Sequence, residues 1–292
     1  PGIMRFLTFQ TIGAICLLMA GWALGQAEAN PNDPQLSLTA GTLLALGFVF
    51  LLAIFPFHTW ISMLAQEAHP YAAAFVFFFL PNIVSILGIH ILQKYAWLRN
   101  SASILAAVRA AGILALLSSG ILAAAERRLD RILGYTALAD LGLSIIVIGS
   151  SPVLPAGSTL ASAPNIYFGL ILARGFSLGV WGLALSALQA AQGDLSFRNM
   201  QGLGQRMPFA TTALLLSNLS LAAFPLLAGF PLRMAAWQAL AQVSPGAGLW
   251  LLVGYAGLIV AALRSLAALT IGSKESLQPP CETRSLQILF SM

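Results

Sequence analysis

Five ionisable side chains interrupt stretches that are otherwise almost wholly apolar: Arg109, Asp140, Arg174, Arg233 and Arg264. His58 and His90 add two imidazoles in similar surroundings. A charge in hydrocarbon costs a few kcal/mol or more, so each such group needs a partner or a task. Asp140 is the one acid among them, and it precedes Arg174 by one apolar stretch, which suits a buried pair between neighbouring helices. Such a pair reads equally well as a structural bridge or as part of a transport path, because unpaired charges do not persist there. Arg109 and Arg264 lie near mid-stretch, where a long side chain can snorkel to an interface or to a neighbour's carbonyls, a structural task. Arg233 follows a proline-broken segment where unwound backbone and water are expected, which favours a functional position.

The elements that carry these residues follow from composition. Of the 292 residues, 59% are hydrophobic and 8% charged, and the mean hydropathy is +0.86. Soluble domains carry about 25% charged residues, so this chain is expected to be all-α and to lie in a bilayer. Its net charge of +5 is spread over loops and makes no nucleic-acid-binding face. Cys16 and Cys281 form no CxxC, zinc or iron–sulfur spacing, so no cofactor is expected in this chain. The chain opens on Pro1-Gly2 and enters an apolar helix without a signal-peptide cleavage pattern. An incomplete chain, or one beginning inside a larger subunit, is the expectation.

A spanning helix needs about 20 mostly apolar residues. Eight candidates meet this, at about 5–25, 39–64, 71–93, 102–124, 131–150, 164–190, 208–240 and 248–272. Polar loops are expected at Asn30 to Pro34, Lys94 to Ser101, Glu126 to Arg131, Ser151 to Pro164 and Gln192 to Arg206. Two spans are too long and too broken for plain helices. One holds Phe55-Pro56-Phe57-His58; the other holds Phe224-Pro225 and Gly229-Phe230-Pro231. Proline removes a donor and clashes with the preceding turn, so Pro56, Pro225 and Pro231 mark helix breaks. In lipid, such breaks are tolerated where they face protein or a wet cavity. A pair of them points to inverted repeats, and two independent kinks are the alternative.

Alternating the eight spans puts Arg5, Arg127, Arg128, Arg131, Arg198, Arg206, Lys274 and Arg284 on one side. The other side receives Lys94 and Arg99, with Glu28 and Asp33. This asymmetry assigns the basic side to the cytoplasm or its equivalent.

Several ordered motifs across about 240 residues resemble one family. Phe55-Pro56-Phe57-His58-Thr59-Trp60, followed by Glu67-Ala68-His69-Pro70, resembles P-[FL]-H-x-W-L-P-D-A-H-x-E-A-P, with Ile61 to Ala65 departing from it. Leu129-Asp130-Arg131-Ile132-Leu133-Gly134-Tyr135-Thr136 resembles D-L-K-R-x-L-A-Y-S, and Leu141-Gly142 follows as in S-Q-L-G. Gly202-Leu203 to Met207-Pro208 resembles G-G-L-x-x-x-M-P, and Phe224-Pro225 to Gly229-Phe230 resembles P-P-x-x-G-F. These motifs are similar to those of the antiporter-like membrane subunits of respiratory complex I (NADH:quinone oxidoreductase). That family is shared with membrane-bound hydrogenases and Mrp-type antiporters.

The resemblance implies an inverted-repeat fold in which residues 1–100 are a partial first repeat of three helices. Residues 101–272 would be a second repeat of five helices, and 273–292 a tail or truncated last helix. It matches the sixth to thirteenth helices of a usual fourteen. The family moves protons through a midplane row of lysine, glutamate and histidine. Those positions fall here on Leu51, on the Phe77 to Ile83 stretch where Asn82 alone is polar, on Arg174 and on Arg233; the glutamine of S-Q-L-G falls on Asp140. A buried lysine can release its proton, whereas a guanidinium stays charged. The implied function is a membrane-arm subunit of a proton-translocating complex, with a degraded path in this chain. Its partners would be other membrane-arm subunits and the lipid of an energy-coupling membrane, bacterial or mitochondrial inner. A hydrogenase or antiporter subunit, a stand-alone secondary transporter and a structural scaffold are the alternatives.

Overall fold

A computed structural model describes residues 2–30, 33–150, 163–227 and 229–271. The first span is α1 (Gly2–Ala29). The second is broken into α2 (Pro34–Leu51) and α3 (Thr59–Glu67), and α4 (Pro70–Lys94) follows. A short α5 (Ala96–Asn100) leads to α6 (Ala102–Ala125), α7 (Leu129–Gly149) and α8 (Ala163–Gln192). A further short helix, α9 (Leu203–Arg206), precedes the second broken span, α10 (Pro208–Leu221) and α11 (Phe230–Val243), and α12 (Pro245–Thr270) ends the described chain. No strand occurs among the described residues, which show one isolated bridge, Arg128 to Ser196.

Seven of these helices are long and apolar enough to cross a membrane. The expected count of eight is reached when α10 and α11 are taken as one broken crossing. Side-chain contacts support the alternation. Arg131 at the start of α7 donates to Gln66 at the end of α3 (2.5 Å). Arg128 pairs with Asp194, just after α8 (2.9 Å). Gln205 in α9 donates to the Thr270 carbonyl that ends α12 (3.3 Å). These ends therefore share one side of the molecule.

Several boundaries differ from the sequence expectation for local reasons. The second span starts at Pro34 because Asp33 caps it, accepting from the Gln35 N–H at 2.9 Å, and proline suits the first helical turn. Ser101 and Ser244 cap α6 and α12 in the same way. The expected loops at 94–101 and 192–206 each hold a short helix, α5 and α9. The expected loop at Ser151 to Pro164 lies mostly, and the tail at 273–292 wholly, outside the described residues.

Helix α7 is the hub. It is buried almost end to end and packs on α6, α3, α8 and α4. Close approach to α6 is made where Gly112 faces Gly142; a Cβ on Gly112 would lie 2.7 Å from the Gly142 carbonyl oxygen. Thr136, Asp140 and Ser144 recur every fourth residue, so they line one face of a helix that has no exposed side. Of this stripe Ser144 donates to the Asp140 carbonyl of its own helix and the Thr136 hydroxyl has no partner, so it is the Asp140 carboxylate that must be met from neighbouring helices.

Both broken spans stop in the same manner. Ala53 and Ala223 adopt left-handed backbone, with φ of 53° and 57°. The next N–H turns back by five residues, Ile54 to the Val49 carbonyl (3.1 Å) and Phe224 to that of Leu219 (3.0 Å). This is the Schellman closure of a helix C-terminus, here built without glycine. Two expectations about the breaks need correction. Pro231 does not lie in a break; it sits in the first turn of α11, where its missing N–H costs nothing. Pro56 and Pro225 are exposed on the surface of the described chain and are not enclosed by its helices. The buried parts of the breaks are Leu52 to Ile54 and His58 at the first, and Ala222 and Gly229 at the second.

Candidate ion-pair site in the membrane core

Asp140 stands at the middle of α7's polar face, and two arginines from other helices converge on it. Arg174 of α8 donates through Nε to one carboxylate oxygen at 2.5 Å. Arg233 of α11 donates through Nη2 to the other at 2.6 Å. All three side chains are 1% exposed or less. The two guanidinium groups are held differently. Arg174 Nη1 donates to Asn82 Oδ1 of α4 (2.8 Å), and its Nη2 donates to the Asp140 carbonyl (2.9 Å) and to the Ser144 hydroxyl. Asn82 in turn donates to the Phe78 carbonyl (2.7 Å), and its own carbonyl accepts from Tyr167 (3.4 Å). Arg233 has no partner for Nε or Nη1. Nearby on α12, the buried Tyr255 hydroxyl is also unpartnered, as is the Asn218 amide at the end of α10.

Burying three charges is costly, and the geometry has to be good to offset it. Charge-assisted hydrogen bonds on both carboxylate oxygens meet that condition. What the arrangement can do chemically follows from its groups. A guanidinium does not release its proton at physiological pH. A carboxylate held on both oxygens by permanent cations is a fixed charge rather than a relay. Four helices, α4, α7, α8 and α11, are tied together at this point.

The expected site residues thus divide. Asp140, Arg174 and Arg233 come together, and Arg233, expected beside water, is fully enclosed. Arg109 stands apart and donates to the Gly149 carbonyl at the end of α7 (2.8 Å). Arg264 donates to the Ala124 carbonyl in the last turn of α6, with its guanidinium over the Phe197 ring. Each satisfies an acceptor that a helix C-terminus leaves without an intrahelical partner. His58 opens α3, 9% exposed and stacked on Phe55 at 5.5 Å, away from the arginines. His90 is exposed. Leu51 packs against Gly13 of α1. Ser144, Tyr167 and Tyr255 were not expected in the site. The four-residue spacing from Asp140 is a signal for Ser144; nothing in the sequence singles out the other two.

On the basic face of the molecule, outside the spans, Arg128 bonds Asp130 and Asp194. The Ser196 hydroxyl, and then the Arg128 guanidinium, hold the Asp194 carboxyl below its ordinary value. The Asp130 hydrogen bond raises Arg128.

Residues 5–259 match the family model described as "NADH:quinone oxidoreductase/Mrp antiporter, TM". The chain belongs to that family. Among its relatives, NADH-quinone oxidoreductase subunit N 2 of Acidobacterium capsulatum is 30% identical over 252 residues, 83% of this chain and 48% of the relative. The chain therefore spans about half the length of the curated relatives it matches. Among solved structures, a chain of the archaeal membrane-bound sulfane sulfur reductase superposes with a TM-score of 0.83 at 16% identity. That alignment covers 99% of this chain and 60% of the other. A chain of respiratory complex I from Thermus thermophilus gives 0.75 at 19% identity, covering 99% and 62%. At these identities the structural likeness establishes the antiporter-like, all-helical membrane fold.

Proposed function

We propose that this chain serves in an antiporter-like, non-redox subunit of the membrane arm of a complex I-type NADH:quinone oxidoreductase, where it holds fixed charge instead of relaying protons. The sequence relatives, named as subunits of that oxidoreductase, support the assignment of complex. The observation that carries the second half is the enclosure of Asp140 between Arg174 and Arg233. Where the family resemblance places exchangeable lysines, this chain offers two permanent cations and a leucine. Partners would be neighbouring membrane-arm subunits, and redox cofactors would lie in those partners. The basic face, with Arg5, Arg127, Arg128 and Arg131, would be cytoplasmic or its equivalent in an energy-coupling membrane.

The test is proton translocation per electron in the assembled complex carrying Arg233→Lys or Arg233→Ala. The expected result is an unchanged stoichiometry with assembly retained. Complete loss of pumping with assembly intact would overturn the fixed-charge reading. The identity of co-purifying subunits separates this complex from a hydrogenase or a cation/proton antiporter.

A further inference from the structure

Charge does not balance in the core. The buried charged side chains among the described residues are Asp130, Asp140, Arg174 and Arg233. Asp130 is engaged by Arg128 near the basic face, so two buried guanidinium groups share the single carboxylate of Asp140. Arg174 uses its other donors on Asn82, Ser144 and a backbone carbonyl. Arg233 keeps the excess: its Nε and Nη1 are buried without a partner, and the side chain is 0% exposed.

Nη1 points at a particular place. It lies 1.9 Å from where a Cβ of Gly229 would be. Gly229 is the N-cap of α11, a 14-residue helix with no side-chain cap at that end. At this start the Phe230 N–H already donates to the Leu227 carbonyl and Pro231 has no N–H, so what it offers an anion is the positive end of the helix dipole. An enclosed guanidinium with two free donors, one of them set at the positive end of that dipole, is an environment that favours an anion. The Tyr255 hydroxyl, buried and unpartnered on α12, adds a further donor in the same region.

We infer that Arg233 and the N-terminus of α11 hold a small monovalent inorganic anion, of halide size, that completes the charge of the Asp140 cluster. The size follows from enclosure: the Arg233 side chain is 0% exposed, so the class chosen is the smallest, a monatomic anion. Gly229 belongs to the site because any side chain there would occupy the space of Nη1. The inference does not depend on whether the chain relays protons.

Equilibrium dialysis of the purified, detergent-solubilised complex with radiolabelled chloride is the direct measurement. About one saturable site per chain is expected, together with an anomalous bromide peak beside Arg233 Nη1 in crystals soaked in bromide. Thermal melts in chloride against gluconate at equal ionic strength should show a saturable rise in Tm. Arg233→Gln should abolish that rise, while Arg264→Gln should leave it. Absence of saturable halide binding by the unaltered complex overturns the inference, and so does a neighbouring subunit's carboxylate found on Arg233 in the assembled complex. These outcomes are independent of proton stoichiometry, so either proposal can fail alone.

Discussion

At the first helix break, α2 ends on Leu51 and Leu52, Ala53 turns left-handed, and helix resumes at Thr59. At the second, α10 ends on Leu221 and Ala222, Ala223 turns left-handed, and helix resumes at Phe230. The backbone solution is the same, down to the hydrogen bond that reaches back five residues. The side chains it carries are not. Around the first break lie Leu51, packed on α1, and His58, stacked on Phe55. Beside the second lies Arg233, drawn into a three-charge cluster. Breaking a helix in a membrane is thus a backbone operation, closed by the chain's own carbonyls. What the break does afterwards depends on which group the next turn delivers to the core.

The largest effect should come from removing the charge that holds the second break together. Asp140→Ala leaves two guanidinium groups buried without their acid, which costs about 3–5 kcal/mol. Thermal melting in detergent, or yield of assembled complex, should register it. The equivalent insult at the first break, His58→Ala, removes no charge pair and should cost far less. If the two losses are equal, the electrostatic contrast between the breaks is wrong.

Gly229→Ala comes next. The new methyl must displace Arg233 Nη1, and overpacking of this kind costs roughly 1–3 kcal/mol. A smaller loss is expected from Arg264→Ala or Arg109→Ala, each of which strips a charged hydrogen bond from a helix end, about 1–2 kcal/mol. A double change should add, because the two caps sit on opposite ends of the bundle.

Ala53→Gly and Ala223→Gly sharpen the comparison from the other direction. Left-handed backbone costs an ordinary residue about 1–2 kcal/mol, partly offset for glycine by its freedom when unfolded. Each change should therefore stabilise by up to about 1 kcal/mol, and by equal amounts, if the two breaks share one geometry. Unequal shifts in melting temperature would show that they do not.

The smallest effect lies outside the membrane. The folded state holds the Asp194 carboxyl below its ordinary value, through Ser196 and then Arg128. Its contribution is present above the unfolded pKa, about 4, and is lost as pH falls through the lower folded value. Melts taken from pH 6 to 3 should show this loss, and Asp194→Asn should remove that part of the acid dependence. The carboxylate is 41% exposed, so solvent screens it and the effect is small.

Much of this was legible in the chain itself. Apolar runs of spanning length, punctuated by Asn30 to Pro34 or Glu126 to Arg131, are one-dimensional signals. Burial in lipid acts on such runs almost independently of their neighbours, so they gave the crossings and the two breaks. The isolation of Asp140 as the one intramembrane acid was enough to suggest Arg174 as its partner. The helix-end tasks of Arg109 and Arg264 were visible only as a class, because the carbonyl each reaches is 40 and 140 residues away.

Tertiary structure alone decided that Arg233 joins the pair, since α7 and α11 meet only when α8, α10 and α12 are packed around them. It also decided that Pro56 and Pro225 face outward while Ala53 and Ala222 are buried. Sequence determines which groups lipid will not accept unpaired. Where they find partners is set by how helices cross, and that depends on contacts such as Gly112 on Gly142, whose energies are not written in any local run of residues.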